Sequence, residues 1–441
     1  MSDVTVVGAG LAGSEAAWQL ARAGLSVKLV EMRPHGSTPA HTTGRAAELV
    51  CSNSLRSQSL SNAAGVLKEE LRLAGSLLID VADATSVPAG MALAVDRDLF
   101  SAQVQSRLEG EPLIDLVRRE QEEVPAGVAI IASGPLTAGA LASGLVDLTG
   151  VESLYFYDAI APVIDAESID RSVVFLQSRH EPVGEGDYLN CPLYREEYEV
   201  FVEELLAAEK VPLKRFEREI HFAGCMPVEA IAEKGWETLA HGPMRPVGIT
   251  DPRTGKQPFA VIQLRMENRA ETAWNMVGFQ TKLTYPEQRR VFRMIPGLEG
   301  AEILRYGSMH RNTFVDGPSV LDGTLRLNRR PKVRLAGQIT GVEGYIESIA
   351  SGFLAAAFTA ADLRGEHLDP PPEDTALGSL LAYATRPGKG TFQPSNINFG
   401  LFPPIEKRMR KRERRREYGR RALESVGPWL ESLGRVLGPL S

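Results

Sequence analysis

Residues 8 to 13, Gly-Ala-Gly-Leu-Ala-Gly, end one kind of pattern and begin another. Before them, Asp3 to Val7 has the apolar, β-branched make-up of a short buried strand. After them, SEAAWQLARAG repeats apolar residues at helical spacing as far as Gly24. Ser26 to Glu31 then reads as a second buried strand, so the stretch predicts one βαβ unit. A strand that runs through GxGxxG into a helix is suited to a dinucleotide. Gly8 permits the tight turn, Gly10 leaves the backbone bare for a pyrophosphate, and Gly13 lets helix and strand pack closely. The backbone of Gly8, Ala9, Gly10, Leu11, Ala12 and Gly13 stands where the helix presents unpaired N–H groups and the positive end of its dipole. Glu31, eighteen residues past Gly13, would accept hydrogen bonds from ribose hydroxyls, and its charge disfavours the 2′-phosphate of NADP at this site.

A chain of 441 residues has room for two or three structural units. Arg33 to Asn62 is polar and reads as a long loop; Val66 to Ala74 and Asp96 to Leu108 read as helices, the second capped by Asp96. Val128 to Ala132 is a further buried strand. From about residue 181 to 309 the βαβ rhythm is lost, and Rossmann-like patterning returns at Val333 to Ala336, followed by GQITGVEGYIESIASG and FLAAAFTAAD. The expected fold is therefore α/β: a Rossmann-like FAD-binding domain (1–180 and 310–441) interrupted by an inserted α+β domain (181–309). FAD is favoured over NAD because the second strand, glycine turn and helix can hold the far part of a long cofactor, through Gly337, Gln338 and Gly341. Gln338 stands where many FAD enzymes place an Asp for the ribitol.

Charge and cysteines narrow the function. The net charge of −7 conceals a segment, Lys407 to Arg421, with ten basic and two acidic residues, which suits a polyanionic partner, although internal pairs to Glu413 and Glu417 would also explain it. Three cysteines are too few for a disulfide framework and too scattered for a metal knuckle. Cys225, followed by Pro227 at an expected first helical position, sits where a helix start would favour thiolate. Cys51 lies in a polar loop whose Ser52, Asn53 and Ser54 are candidates to orient a substrate, Cys191 reads as structural, and His310 is a candidate to face the flavin. No HExxH, GxSxG or P-loop appears, so no metal is expected. No apolar run approaches the ~18 residues of a membrane helix, and the start of the chain reads as fold and not as signal peptide, so a cytoplasmic location is expected.

Five segments together, GAGLAGSEAA (8–17), ELVCSNSLRS (48–57), FAGCMPVEAIA (222–232), GQITGVEGYIESIASG (337–352) and TFQPSNINFGLFP (391–403), resemble one known family. It is the folate- and FAD-dependent tRNA (uracil-5-)-methyltransferases, TrmFO. The sister MnmG/GidA family shares the glycine turns but carries a longer C-terminal helical region. The resemblance implies that a carbon from methylenetetrahydrofolate reaches C5 of a T-loop uridine in tRNA by way of the flavin, with NADH or NADPH as reductant. It implies Cys225 as the thiol that attacks the uracil and Cys51 as a second essential cysteine with an acid/base or protective role. Tyr345 would stack on the folate, and Lys389, Arg410 and Arg412 would grip tRNA phosphates. Wobble-uridine modification and small-molecule flavin oxidoreduction remain as alternatives.

Overall fold

The computed structural model describes residues 2–38, 40–137, 139–150, 154–212, 226–388 and 392–438. The opening unit folds as its pattern dictates: strand Val4–Val7, helix Leu11–Arg22, strand Val27–Glu31. These two strands pair in parallel, Val4 opposite Val27 through Val7 opposite Val30. A six-stranded sheet grows from them in the spatial order 326–327, 330–335, 129–131, 4–7, 27–31, 114–118. Its pairs are parallel except at the edge strand Arg326–Leu327. Strand Arg330–Leu335 sits beside Ala129–Ile131, and it lies some two hundred residues further along the chain. Residues from both ends of the sequence thus build one sheet.

The helix Tyr345–Arg364 after that strand is long and apolar enough to cross a membrane, a feature the sequence pattern alone did not reveal. It is a core helix: 83% of its apolar window is buried. Ile346, Ile349, Phe353, Leu354 and Phe358 are inside, each contributing roughly 1.5–3 kcal/mol by burial. The helix runs against Leu11–Arg22 with no room to spare, since a Cβ on Gly352 would lie 2.1 Å from the Ala12 carbonyl oxygen.

A second hydrophobic core gathers around a six-stranded antiparallel sheet ordered 175–176, 188–193, 260–266, 273–276, 163–165, 303–305. Two of its strands, Val163–Asp165 and Phe175–Leu176, precede residue 181, where the change of rhythm placed the start of the insertion. Strands of three and two residues are too short to leave a period in the sequence. Between the two sheets run paired strands Leu154–Ala159 and Met309–Phe314, outgoing and returning. The expected helices are Ala63–Leu73 and Arg97–Glu109, with Asp96 accepting from the Leu99 N–H as cap. The stretch expected as loop from 33 to 62 contains a strand, Ser54–Ser57, paired with Ala92–Val95.

Candidate active site

The two glycine turns meet at one cavity. Gly8, with φ +96°, is required by space and conformation together: a Cβ there would lie 2.6 Å from the Ala132 carbonyl oxygen. A Cβ on Gly13 would lie 1.8 Å from the Gly8 carbonyl oxygen, which is the close helix–strand approach expected of it. Gly10 differs from both. Among the described residues, apart from its own chain neighbours, no atom lies within 4 Å of where its Cβ would be, and it lines the cavity with Gly8, Leu11 and Ala12. Nothing in the chain's own packing demands glycine there; a ligand pressed against the backbone would.

The cavity is open at its mouth and has a volume of about 140 Å³. Glu31 lines it, at the end of its strand. One carboxylate oxygen accepts from the Ala9 N–H (2.8 Å), and the other accepts from the Arg33 backbone N–H (3.0 Å) and Nε (2.9 Å). Burial alone would raise the Glu31 carboxyl. The Arg33 hydrogen bond and charge outweigh it and hold the group below the ordinary carboxylate range. Arg33 also donates to Glu48 (3.1 Å), whose oxygens accept from the backbone N–H and hydroxyl groups of Thr42 and Thr43. Sequence spacing singled out Glu31 and missed Arg33, which belongs to no motif, and Glu48, which opens the ELVCSNSLRS segment but was given no role there.

His41, also missed, lines the same wall and shares a 2.6 Å hydrogen bond with the Thr38 hydroxyl. Burial, then the Arg33 charge, push it down to about 4. A histidine in the unfolded chain titrates near 6.5, so between pH 6.5 and 4 only the unfolded chain takes up the proton. The stability linked to His41 is full above pH 6.5 and lost as the pH falls toward 4, by up to about 3 kcal/mol. The urea midpoint should therefore fall more steeply from pH 7 to pH 4.5 in the unaltered chain than in His41→Gln; parallel profiles would sink the assignment.

The far wall is the second turn. Gly337 (φ +83°) and Gln338 line the cavity, and the Gln338 amide donates to Glu343 (2.6 Å). Gly341 does not line it. A Cβ there would lie 2.2 Å from the ring of Phe392, so packing in this chain already requires glycine at the position, whatever it does toward a cofactor. Ser395, Asn396 and Ile397, from the TFQPSNINFG segment, lie along this turn through hydrogen bonds to Glu343 and Glu347.

Tyr345 begins the core helix and lines the cavity; its hydroxyl accepts from the Cys51 backbone N–H (2.7 Å). Burial pushes its phenol up, and the neighbouring Cys51 sulfur adds to this, so the ring stays neutral. Cys51 is half-buried and its Sγ lies 3.9 Å from the Ala159 carbonyl oxygen. Its own carbonyl accepts from Arg305 Nη2 (2.9 Å), and Arg97 donates to the Leu49 carbonyl two residues before it. Arg97 in turn holds Glu267 through Nε (3.1 Å) and Nη2 (3.0 Å). The Cys51 loop is thus clamped by residues from both units. Asn53, read as a candidate to orient substrate, is fully buried instead; it donates to the Val95 and Met266 carbonyls and accepts from Arg265 Nε. It fixes the loop to the second sheet.

Cys225 and Lys389 lie outside the described residues. Pro227 is the N-cap of the helix Val228–Ala232, not its first residue, and five residues make little dipole, so the helix-start argument for a thiolate loses its basis. That helix is anchored by Glu229, which accepts from the Lys282 N–H (2.6 Å) and the Thr281 hydroxyl. His310 is half-buried, shares a 2.9 Å hydrogen bond with Ser308, is pushed down by burial, and is not among the residues lining the cavity. Cys191 is fully buried in strand Tyr188–Leu193, which pushes its thiol up, as a structural cysteine requires.

The basic segment begins the helix Lys411–Leu437, capped by Arg410. Its later turns bury Val426, Trp429 and Leu433, and Gly419 lets it approach the Leu60 carbonyl. The internal pairs weighed as an alternative form only at Arg420, with Glu417 and Glu424. Arg412, Arg414, Arg415 and Arg416 are exposed and have no ion-pair partner among the described residues. One flank of the helix faces a cleft with Ser59, Ser61 and Met91, the other a cleft with Asn62, Phe399 and Arg56. Arg56 pairs with Glu347 (2.8 Å), two residues past Tyr345, so the second basic cleft adjoins the cavity wall.

Comparison with known proteins agrees with this architecture. The family model described as glucose inhibited division protein A matches residues 3–367. Solved structures of GidA from Aquifex aeolicus superpose with a TM-score of 0.72, at 16% identity over 98% of this chain and 73% of theirs in one crystal form. Among curated proteins, the methylenetetrahydrofolate–tRNA-(uracil-5-)-methyltransferase TrmFO of Geobacter sulfurreducens is 59% identical over 98% of this chain and 99% of its own. That of Pelotomaculum thermopropionicum is 58% identical over the same shares. The fold is that of GidA, and the identity over the full length is to the narrower group: the chain belongs to the TrmFO family, as its five motifs implied.

Proposed function

We propose that this chain transfers a one-carbon unit from methylenetetrahydrofolate to C5 of a T-loop uridine in tRNA, with FAD between the two glycine turns and NADH or NADPH as reductant. The observation that carries the reading is a single cavity walled by glycine turns over 300 residues apart, with the Cys51 backbone fastened to its far side. Relatives that bear this activity in their names, alike over nearly the whole chain, support the substrate class.

The residues present fit FAD. A bare Gly10, a helix N-terminus and an ionised Glu31 suit a diphosphate and a ribose, and Gly337 and Gln338 of the second turn line the same cavity. When bound, FAD supplies the redox chemistry that takes carbon from the methylene to the methyl level, two electrons coming from NADH or NADPH. The chain does the rest. Backbone N–H groups at Gly10, Leu11 and Ala12 would hold the diphosphate, and Glu31, kept charged by Arg33, would orient the ribose. Tyr345, neutral and fixed by the Cys51 N–H, offers a flat ring face to the folate pterin. Uracil C5 is a poor nucleophile until a thiolate adds at C6; Cys225 is that thiolate. The C5 proton must leave once the new bond forms, and the Cys51 side chain is the group placed to take it. Such a reaction on tRNA belongs in the cytoplasm.

The exposed arginines of the C-terminal helix position the RNA through its phosphates. Changing Arg412, Arg414, Arg415 and Arg416 together to Gln should raise the KM for tRNA. It should also flatten the plot of log affinity against log salt by about 3, near 0.7–0.9 for each phosphate that the helix no longer neutralises. An unchanged slope would remove the helix from the interface.

The deciding experiment incubates the purified protein with unmodified tRNA, methylenetetrahydrofolate and NADH or NADPH, and measures 5-methyluridine. Product that persists when S-adenosylmethionine replaces the folate overturns the carbon source. An aminomethyl group in the anticodon instead points to wobble chemistry, and full turnover without RNA points to a small-molecule oxidoreductase.

A further inference from the structure

Beside the Cys51 loop lies an aromatic surface that the reading above does not use. Tyr285 opens the helix Tyr285–Phe292, and Tyr306 follows the edge strand Ile303–Arg305 by one residue. Their rings are stacked, 4.7 Å between centroids and 26° between planes. Arg289, one turn along the helix, lies 5.8 Å from the Tyr306 ring centre and donates to its hydroxyl (2.6 Å). A pair that served packing alone would be covered, yet Tyr285 is 55% exposed and its hydroxyl has no partner among the described residues.

The pair is held rigidly and close to the sulfur. The Gln288 side chain donates to the Gly307 carbonyl and accepts from its N–H, both at 2.8 Å, so helix and strand end cannot drift apart. A Cβ on Gly307 would lie 2.4 Å from Thr281 and 2.8 Å from the Ile160 carbonyl oxygen, so this segment is pressed against residue 160. Ile160 donates to the Ser308 carbonyl (2.7 Å), and the residue before it, Ala159, supplies the oxygen facing Cys51 Sγ. On the other side, Arg305 binds the Cys51 carbonyl.

We propose that Tyr285 and Tyr306, with Arg289, form a stacking platform for an unstacked base of the tRNA loop other than the base that is methylated. The proposal rests on the reading of tRNA as substrate. A flat, exposed aromatic face backed by a guanidinium is how single-stranded bases are held without reading their edges. A loop distorted to deliver one uridine leaves a neighbour unstacked, and the platform gives that neighbour a surface.

The test uses the full FAD-loaded chain, its Tyr285→Ala and Tyr285→Phe variants, unmodified tRNA, and a T-arm hairpin carrying 2-aminopurine at each loop position in turn. Tyr285→Ala should raise the KM for tRNA about ten- to a hundredfold while kcat stays within about twofold and the salt slope is unchanged; Tyr285→Phe should restore the KM. At one loop position the fluorescence should change on binding to the unaltered chain and not on binding to Tyr285→Ala. If tRNA is methylated and Tyr285→Ala keeps its KM, the platform is wrong and the activity stands. If no 5-methyluridine forms yet the hairpin signal depends on Tyr285, the activity is wrong and the platform stands. If neither appears, both fall.

Discussion

Cys225→Ala protein is expected to purify yellow and to make no detectable 5-methyluridine, a fall of at least about 10³-fold in turnover. The size follows from the substrate. Without an adduct at C6, C5 carries too little electron density to attack an electrophilic carbon, and no other group in the mechanism supplies it. Cys51→Ala is the instructive companion. Both hydrogen bonds that fix the Cys51 loop to Tyr345 and Arg305 use its backbone, so the substitution removes a sulfur and leaves the wall standing. Its expected loss, about 10²- to 10⁴-fold, is that of a missing proton carrier, with flavin content unchanged. Methylation surviving in Cys225→Ala would move the nucleophile elsewhere.

Gly10→Ala should fold normally and lose its colour. The backbone there, φ −72° and ψ −169°, is open to any residue, and the new methyl meets no atom of the described residues beyond its chain neighbours, so the melting temperature without FAD should match that of the unaltered chain within a degree or two. FAD is another matter, because the methyl would occupy the space of the diphosphate; an affinity loss of at least about 100-fold, near 2.7 kcal/mol, is expected. Gly13→Ala is the contrast, since a Cβ 1.8 Å from the Gly8 oxygen should destabilise the fold itself by about 3 kcal/mol or more. Urea unfolding and flavin absorbance, measured on both, separate a glycine kept for a ligand from one kept for packing. Full flavin retention in Gly10→Ala would place the diphosphate elsewhere.

What could be read from the sequence was local. The strand, turn and helix of residues 4–31 announce themselves because strand period, glycines and helix period follow one another without interruption, and the strand at 129–131 and the helix from 345 are apolar for the same reason. Glu31 was legible through its spacing from Gly13. Its partner Arg33 was not, although it is only two residues away, because nothing in a sequence says that an arginine turns back into a cavity. Arg305, Glu267 and Arg97 hold the Cys51 loop from positions 254, 216 and 46 residues away, and such pairs leave no periodic trace. Gly341 shows the same limit: both it and Phe392 lie in quoted motifs, but that the two pack together, about fifty residues apart, is not written in either.

The parallel sheet joins strand Val4–Val7 to Arg330–Leu335 through a single intervening strand, Ala129–Ile131. During synthesis, then, the first glycine turn leaves the ribosome hundreds of residues before its counterpart exists. The antiparallel sheet must mature in between, like a clause in brackets, while strand Ala129–Ile131 waits with one edge bare. The cavity between the two turns cannot close until translation is about four-fifths done, and a cell short of chaperones at that moment should accumulate misfolded, colourless protein.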